Sequence, residues 1–467
     1  MKKSWKRILC GGLSLLMVSS LALEGALRLN GKGESASATA DAKIEDVTGK
    51  FNTSALREQY FNDEVKTAEK TYETRTVMVT LDGAPIADRT KGNVAEYLNS
   101  KDGKEAVAAI ASEQAAFLRQ LTKTGVSYEV VRSYNTVVNA VAVKMNTRYV
   151  STVKGLKGVD SAVITTAYAE PKTYLTYSTE VVENKTEVYE TGIYDSEKYT
   201  ASYGQGSVVA ILDTGLDYTH SAFQNFMSSS VELAWSKNDV ADKLNKEDLV
   251  AESRSGALEV SEVYVSEKVP YAYDYADDDP DVYPSYSNHG THVAGIIGGY
   301  DGSYTDKDGN LINKTFKGVV PDAQLAIFKV FTDDLDDPDL GGAVSEDIVA
   351  ALDDCVKLNV DVINMSLGTS CGFTSTDDGD DEGEMLNSVY ESIKEAGISL
   401  VCAASNDYSA GYGGVYGTNL ATNPDSGTIG SPSTYPAALS VASINGQKAD
   451  YMIANKGGDN ESYVFYE

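Results

Sequence analysis

Four short stretches of the 467-residue chain carry side chains that could do chemistry. In "SVVAILDTG" (207–215) a carboxylate, Asp213, closes an apolar run. At the end of a buried strand such a group is held rigidly at the site edge of a sheet. An aspartate before Thr-Gly is also a turn former, and the motif alone fits either reading. In "NHGTHVAGIIGG" (288–299) His289 precedes a glycine and an apolar helical stretch. A histidine at a helix start beside a tight turn can place its ring in an open cleft, where imidazole works as general acid or base. It can also be a packed core histidine, and that is the expectation for His292, inside the helical run. These two and His220 are the only three histidines. His289 and His292 are spaced to share a zinc ion, but no HExxH motif and no nearby Cys or Glu completes a ligand set, so no metal is assigned. In "VCAASNDYSAG" (401–411) Asn406 follows a strand directly. Its amide can donate to a developing oxyanion, although judged alone it reads as a loop asparagine. Finally, "GTSCG" (368–372) offers Ser370 as a candidate hydroxyl nucleophile.

The elements that must position these groups follow from periodicity. Continuous apolar runs at 207–213 and 323–331 read as strands buried on both faces. "SEDIVAALDDCVKLN" (345–359) is a helix with Ser345 as N-cap and an apolar face of Ile348, Ala351, Leu352, Cys355 and Val356. "DVINMSLG" (361–368) is a strand, "EMLNSVYESIKEAG" (384–397) a helix stopped by Gly397, and "SLVCAASN" (399–406) and "ALSVASI" (438–444) are strands. Strands alternating with helices predict a parallel sheet, with functional residues at the carboxyl ends of its strands. The acidic stretches 275–284 and 332–342 read as surface loops. Ahead of this segment the order is β-α-β-β-α-β: a strand at 75–83, a helix at 104–125, two strands within 127–145 around a turn at Tyr134–Asn135, a short helix at 147–159 and a strand at 160–166.

Composition narrows the classes. The net charge is −30 and the pI about 4.4, a surface that repels phosphate backbones, so no nucleic-acid partner is expected. Lys2, Lys3, Lys6 and Arg7 precede an apolar stretch from Ile8 to Leu23, and "SASATADA" (35–42) offers small-residue cleavage sites. This is the pattern of a secretory signal peptide; the run is short for an uncleaved anchor, and a membrane is expected to be a partner only through it. Cys10 lies in that segment, and Cys355, Cys371 and Cys402 form neither a zinc motif nor a disulfide framework.

Taken together, strand-Asp-Thr-Gly, then "HGTHVAG", then "NMSLG", then strand-Asn resembles the subtilisin-like serine proteases, in particular their large cell-envelope type, which share the long Asp-to-His insertion at 221–285. The resemblance implies a subtilisin-like α/β parallel sheet flanked by helices, incomplete here, preceded by a small α+β ferredoxin-like domain that looks like the family's inhibitory propeptide. The implied domains are a signal peptide at 1–38, a linker at 39–73, the propeptide at 74–168, a second linker at 169–203 and a catalytic domain at 204–467. The resemblance assigns Asp213 as the carboxylate that orients the imidazole, His289 as general base and later acid, and Asn406 as the side-chain half of the oxyanion hole. Ser366, Leu367 and Gly368 match the segment that pairs with an extended substrate and lines its first specificity pocket. Ser370 does not match the family's serine. It precedes Asn406 rather than following it, and "CGFTSTDDGDDEGE" after it has no helix pattern to supply backbone donors. The expectation is therefore a secreted or cell-surface zymogen of a serine endopeptidase, acting on protein or peptide substrates and binding its own propeptide. Its nucleophile would lie beyond residue 467, and these 467 residues alone would be inactive. A catalytically dead scaffold and an aspartic protease using Asp213 and Asp425 are the alternatives. No cofactor is implied for the chemistry; the acidic loops and the family's habit allow a structural calcium ion, with no ligand set legible.

Overall fold

Strand β1 (Thr74–Leu81) is buried along its last five residues on both faces, which a helix on one side and the larger sheet system on the other explain. The structure, a computed structural model, describes residues 72–168, 203–302, 304–305, 311–312, 316–333, 342–368, 381–405, 429–442, 452–455 and 462–465. The expected signal segment and nearly all of both linkers lie outside these residues. After β1 come helices α1 (Val94–Asn99) and α2 (Lys101–Lys123), strands β2 (Tyr128–Tyr134) and β3 (Ala140–Asn146), helix α3 (Val150–Lys154) and strand β4 (Val159–Ile164). Ser100 caps α2 by accepting the Gly103 amide at 3.0 Å. Buried Ala106, Ile110, Gln114, Phe117 and Leu121 then recur at helical spacing. The strand order is β2-β3-β1-β4, antiparallel throughout, the split β-α-β arrangement in which β3 enters between β1 and β2. Strand alternation gives this sheet two cores. Val77, Val79, Val141 and Val143 pack with Phe117, Leu121 and Val153. Met78, Ala140, Ala142 and Tyr134 face the other way, into a cluster shared with the rest of the chain.

The second sheet has six strands: β5 (Val208–Asp213), β6 (Tyr271–Asp274), β7 (Gln324–Lys329), β8 (Val362–Met365), β9 (Ser399–Ala403) and β10 (Leu439–Val441). They run parallel in the order β10-β9-β8-β5-β7-β6. β5 and β7 are buried at every residue, as continuous apolar runs in a covered parallel sheet should be. Val209, Ile211, Leu325 and Ile327 point toward helix α4 (His289–Gly298), and Ala210, Leu212, Ala326 and Phe328 point toward helices α5 (Ser345–Leu358) and α6 (Asp381–Glu395). Each of the valine, leucine, isoleucine and phenylalanine side chains contributes about 1.5–3 kcal/mol by leaving water.

Helix α5 is buried at all fourteen residues, including Glu346, Asp347, Asp353 and Asp354, because the six-stranded sheet covers one side and the β2 face of the small sheet the other. The Tyr134 hydroxyl donates to the Glu346 carbonyl at 2.9 Å, and the amides of Thr136 and Val137 donate to Asp353 Oδ1 at 2.8 and 2.9 Å. Ala167–Tyr168 pairs antiparallel with Ala343–Val344, drawing the chain after β4 along the same surface. Ser345 is not the cap of α5. Val344 holds that place, and the Ser345 hydroxyl donates to the Thr166 carbonyl at 3.0 Å, so a tertiary contact has taken the side chain. The acidic stretch 275–284 is only partly a surface loop, for Tyr275 is fully buried.

Candidate active site

Asp213 is the last residue of β5, 1% exposed, and its Oδ1 stands 2.7 Å from Nδ1 of His289 at the start of α4. The two are 76 positions apart in sequence, and three local features bring them together. Thr214 is a clasp: its hydroxyl donates to the Ser287 carbonyl at 3.0 Å and accepts the Gly290 amide at 2.9 Å. Gly290 lets the helix start touch the strand end, since a Cβ there would lie 2.3 Å from the Gly215 carbonyl oxygen. Gly215 has φ +104°, and a Cβ on it would lie 2.2 Å from the Val282 carbonyl oxygen. A second tie runs from the Asp217 amide to the Thr291 hydroxyl at 2.8 Å. The DTG and HGT motifs are thus one interlocked turn.

With Asp213 ionised, the short contact places a proton on Nδ1 and leaves Nε2 as the basic nitrogen of the ring. The side chain of His289 is 15% exposed and that of Asp213 only 1%, so the imidazole stands between a buried carboxylate and solvent. Asp213 Oδ1 also accepts the Thr214 amide at 2.8 Å, while Oδ2 is buried with no hydrogen-bond partner among the described residues. A carboxylate so placed fixes the ring's tautomer and stabilises its protonated form, which is what a general base requires.

The strand registers align other groups with this pair. Met365 of β8 sits beside Leu212, so Ser366 comes level with Asp213 on the neighbouring strand. Ser366 and Gly368 are half-buried, whereas the Leu367 side chain is 2% exposed and belongs to the core, leaving its backbone to face the site edge. Asn406, Ser370 and Asp425 lie outside the described residues. Asp213 has an imidazole, not a second carboxylate, as its partner. His292 corrects the sequence expectation: it is exposed, because the buried stripe of α4 consists of Gly290, Ala294, Gly295 and Gly298 and leaves His292 off it.

Lys329, unforeseen from the sequence, ends β7 level with Asp213 on one side and Asp274 on the other. Its ammonium contacts Asp274 Oδ2 and lies 3.2 Å from Asp277 and 3.4 Å from Asp333. Burial pulls its pKa down, but the three carboxylates outweigh burial and hold it above the ordinary lysine value. Asp274, Asp277 and Asp333 are the one group among the described residues whose oxygens converge closely enough for a metal ion. With Lys329 standing among them, that set fits an ammonium, and calcium would have to displace it. The signal in the sequence is the lone lysine inside the apolar run "AQLAIFKVF". Cys355 and Cys402 are buried free thiols.

Comparisons with known proteins bear on the family of the chain. The model described as "Subtilase family" matches residues 204–461. The PII-type proteinase of Lacticaseibacillus paracasei is 28% identical over 375 residues, which is 79% of this chain and 17% of that protein. The PIII-type proteinase of Lactococcus lactis subsp. cremoris is 28% identical over 379 residues, again 79% and 17%. The C5a peptidase of Streptococcus pyogenes is 30% identical over 250 residues, 53% of this chain and 19% of that protein. Among solved structures, the epidermin leader peptide processing serine protease of Staphylococcus aureus is 16% identical, covering 79% of this chain and 70% of its own, with a TM-score of 0.45. The chain spans 17% of the length of the first two relatives.

Proposed function

The chain belongs to the subtilase family, and from that premise we propose that it carries the catalytic aspartate and histidine of a serine endopeptidase made as a zymogen and acting outside the cytoplasm, secreted or at the cell surface. The observation that carries the reading is the 2.7 Å pair of Asp213 and His289 at the carboxyl edge of the parallel sheet. In the proposed mechanism His289 Nε2 takes the proton of a serine hydroxyl as it attacks the scissile carbonyl, and returns it to the leaving amine. Asp213 stabilises the imidazolium that forms between these steps. Asn406, at the end of the stretch that follows β9, donates to the tetrahedral oxyanion. The backbone of Ser366, Leu367 and Gly368 pairs with an extended protein or peptide substrate. The chemistry needs no cofactor.

The nucleophile in this reading is a serine outside residues 1–467. The sequence after Ser370, "CGFTSTDDGDDEGE", carries no helix pattern, and its acidic residues disfavour both an alkoxide and an oxyanion there. The unit at 74–168 acts as inhibitory propeptide; the support is its apolar face, built of Met78, Ala140, Ala142 and Val163, which solvent would meet if nothing covered it. The basic and apolar N-terminus supports export through a signal peptide. Hydrolysis tests the reading: a chain extended downstream should cleave a protein substrate with a rate that rises around neutral pH as His289 loses its proton. An extended, folded chain that binds but never cleaves would favour a catalytically dead scaffold instead.

A further inference from the structure

Arg132 sits in the middle of β2, the edge strand of the small sheet, yet its side chain is 0% exposed. The register of β2 against β3 slips between Val130 and Arg132, a bulge at Val131 that turns Arg132 out of the small sheet's own core and onto the face that meets α5. There the guanidinium finds its hydrogen-bond and ion-pair partners in residues of the 204–461 segment. Nε and Nη2 donate to Asp347 Oδ1 at 3.0 and 2.8 Å. Nη2 also donates to the Tyr275 carbonyl and lies 2.8 Å from Asp278 Oδ1. The pocket is pre-built: Asp347 is fixed in the first turn of α5, and Asp278 is held at φ +58° with its other oxygen 3.0 Å from Arg254. The site holds one edge of the guanidinium: Nε and Nη2 share Asp347 Oδ1, Nη2 also meets the other two oxygens, and Nη1 is buried with no hydrogen-bond partner among the described residues.

We propose that Asp347, Asp278 and the Tyr275 carbonyl form a guanidinium-binding site, filled here by Arg132, that serves as the latch for docking the 74–164 unit and opens when that unit departs. The proposal rests on the zymogen reading for the idea that the unit departs at all. Asp277, next to Asp278 in the chain, pairs with Lys329, which is level with Asp213 in the six-stranded sheet. Charge is what makes the contact a latch. Without Arg132 the buried Asp347 carboxyl loses its donors while Asp278 keeps Arg254, so loss of the arginine penalises the docked state, and the undocked state returns Asp347 to water. The small sheet's other core, around Val77, Val79, Val141 and Val143, contains none of these groups.

Amide hydrogen exchange on the 467-residue chain tests this without reference to catalysis, so it can fail independently of the protease reading. In Arg132→Ala the Thr136 and Val137 amides, which donate to Asp353 across the interface, and the amides of Ser345–Leu358 should exchange about a hundredfold faster. Those of Val77, Val79, Val141 and Val143 should stay protected. Guanidinium chloride far below denaturing concentration should restore protection to Arg132→Ala, and sodium chloride at equal ionic strength should not. Arg132→Lys should fall between wild type and Arg132→Ala, and it carries the test if the alanine variant cannot be recovered folded. Wild-type exchange in either variant, equal loosening of the Val77–Val143 core, or equal rescue by sodium chloride would overturn the proposal.

Discussion

Asp213 and His289 face each other because three residues around them lack or offer specific atoms. Thr214 has the hydroxyl that bridges the Ser287 carbonyl and the Gly290 amide, and Gly215 and Gly290 have no Cβ to hold the turn apart. The two histidines of HGTH differ accordingly. In a downstream-extended enzyme, His289→Ala should lower kcat by several orders of magnitude without lowering Tm, since it removes the base and leaves the core intact. His292→Ala should leave Tm within about a degree or two, because an exposed side chain away from any special feature is worth no more than ~0.5 kcal/mol. A large Tm loss in His292→Ala, measured calorimetrically, would show that the exposed face of α4 is covered after all. At this scale the sequence was only half legible. DTG and HGTH name the pair, but which histidine turns inward depends on the phase of α4, and that phase is set by the small-residue stripe packing on the sheet.

Elements were read best where one period dominates. The all-apolar run of β5 and the i, i+3, i+4 pattern of α5 need no knowledge of partners. Strand β6 was missed because Tyr271–Asp274 is short, aromatic and followed by aspartates, which reads as an acidic loop; its pairing with β7 and the Lys329 ion pairs decide otherwise. Arg132 was invisible for another reason: its partner Asp347 lies 215 positions downstream. The interlock of β5 with α4 gives a prediction proper to elements. Gly290→Ala must push the start of α4 off the Gly215 carbonyl, 2.3 Å from the new Cβ. Overpacking of this kind costs about 1–3 kcal/mol, and a shift near 1 Å at the base is worth roughly a hundredfold in rate. The expected result is a fall in kcat larger than the loss of stability explains; unchanged kcat with lowered Tm would place the turn outside the catalytic geometry.

On the scale of the whole molecule, an acidic chain has buried carboxylates where its two sheets meet around α5. Burial pushes the Asp347 carboxyl up to about 8, against the pull of Arg132, and burial also raises Glu247 beside Asn99. Both shifts have one sign. A carboxyl whose pKa is raised on docking holds a proton that the undocked group gives up near pH 4, so docking takes up protons. Its favourable contribution is full below about pH 4 and is lost as pH rises toward 8. Protection of the Thr136 and Val137 amides should therefore weaken between pH 5 and 8.5 once corrected for intrinsic exchange, and Asp347→Asn should flatten the trend. A docking strength that rises over this range would contradict it.

The central proposal is that Asp213 and His289 are two members of a triad whose serine is not among these 467 residues. A serine hydroxyl needs an imidazole within hydrogen-bond reach to attack at neutral pH, so a serine-directed fluorophosphonate reports the triad itself. The chain as given should take up no label. A chain extended downstream should be labelled stoichiometrically, at a serine in a Gly-Thr-Ser context opening a helix, and His289→Ala should abolish the adduct. Mass spectrometry of the labelled peptide locates it. A stoichiometric adduct on Ser370 in the 467-residue chain, lost in His289→Ala, would contradict the account.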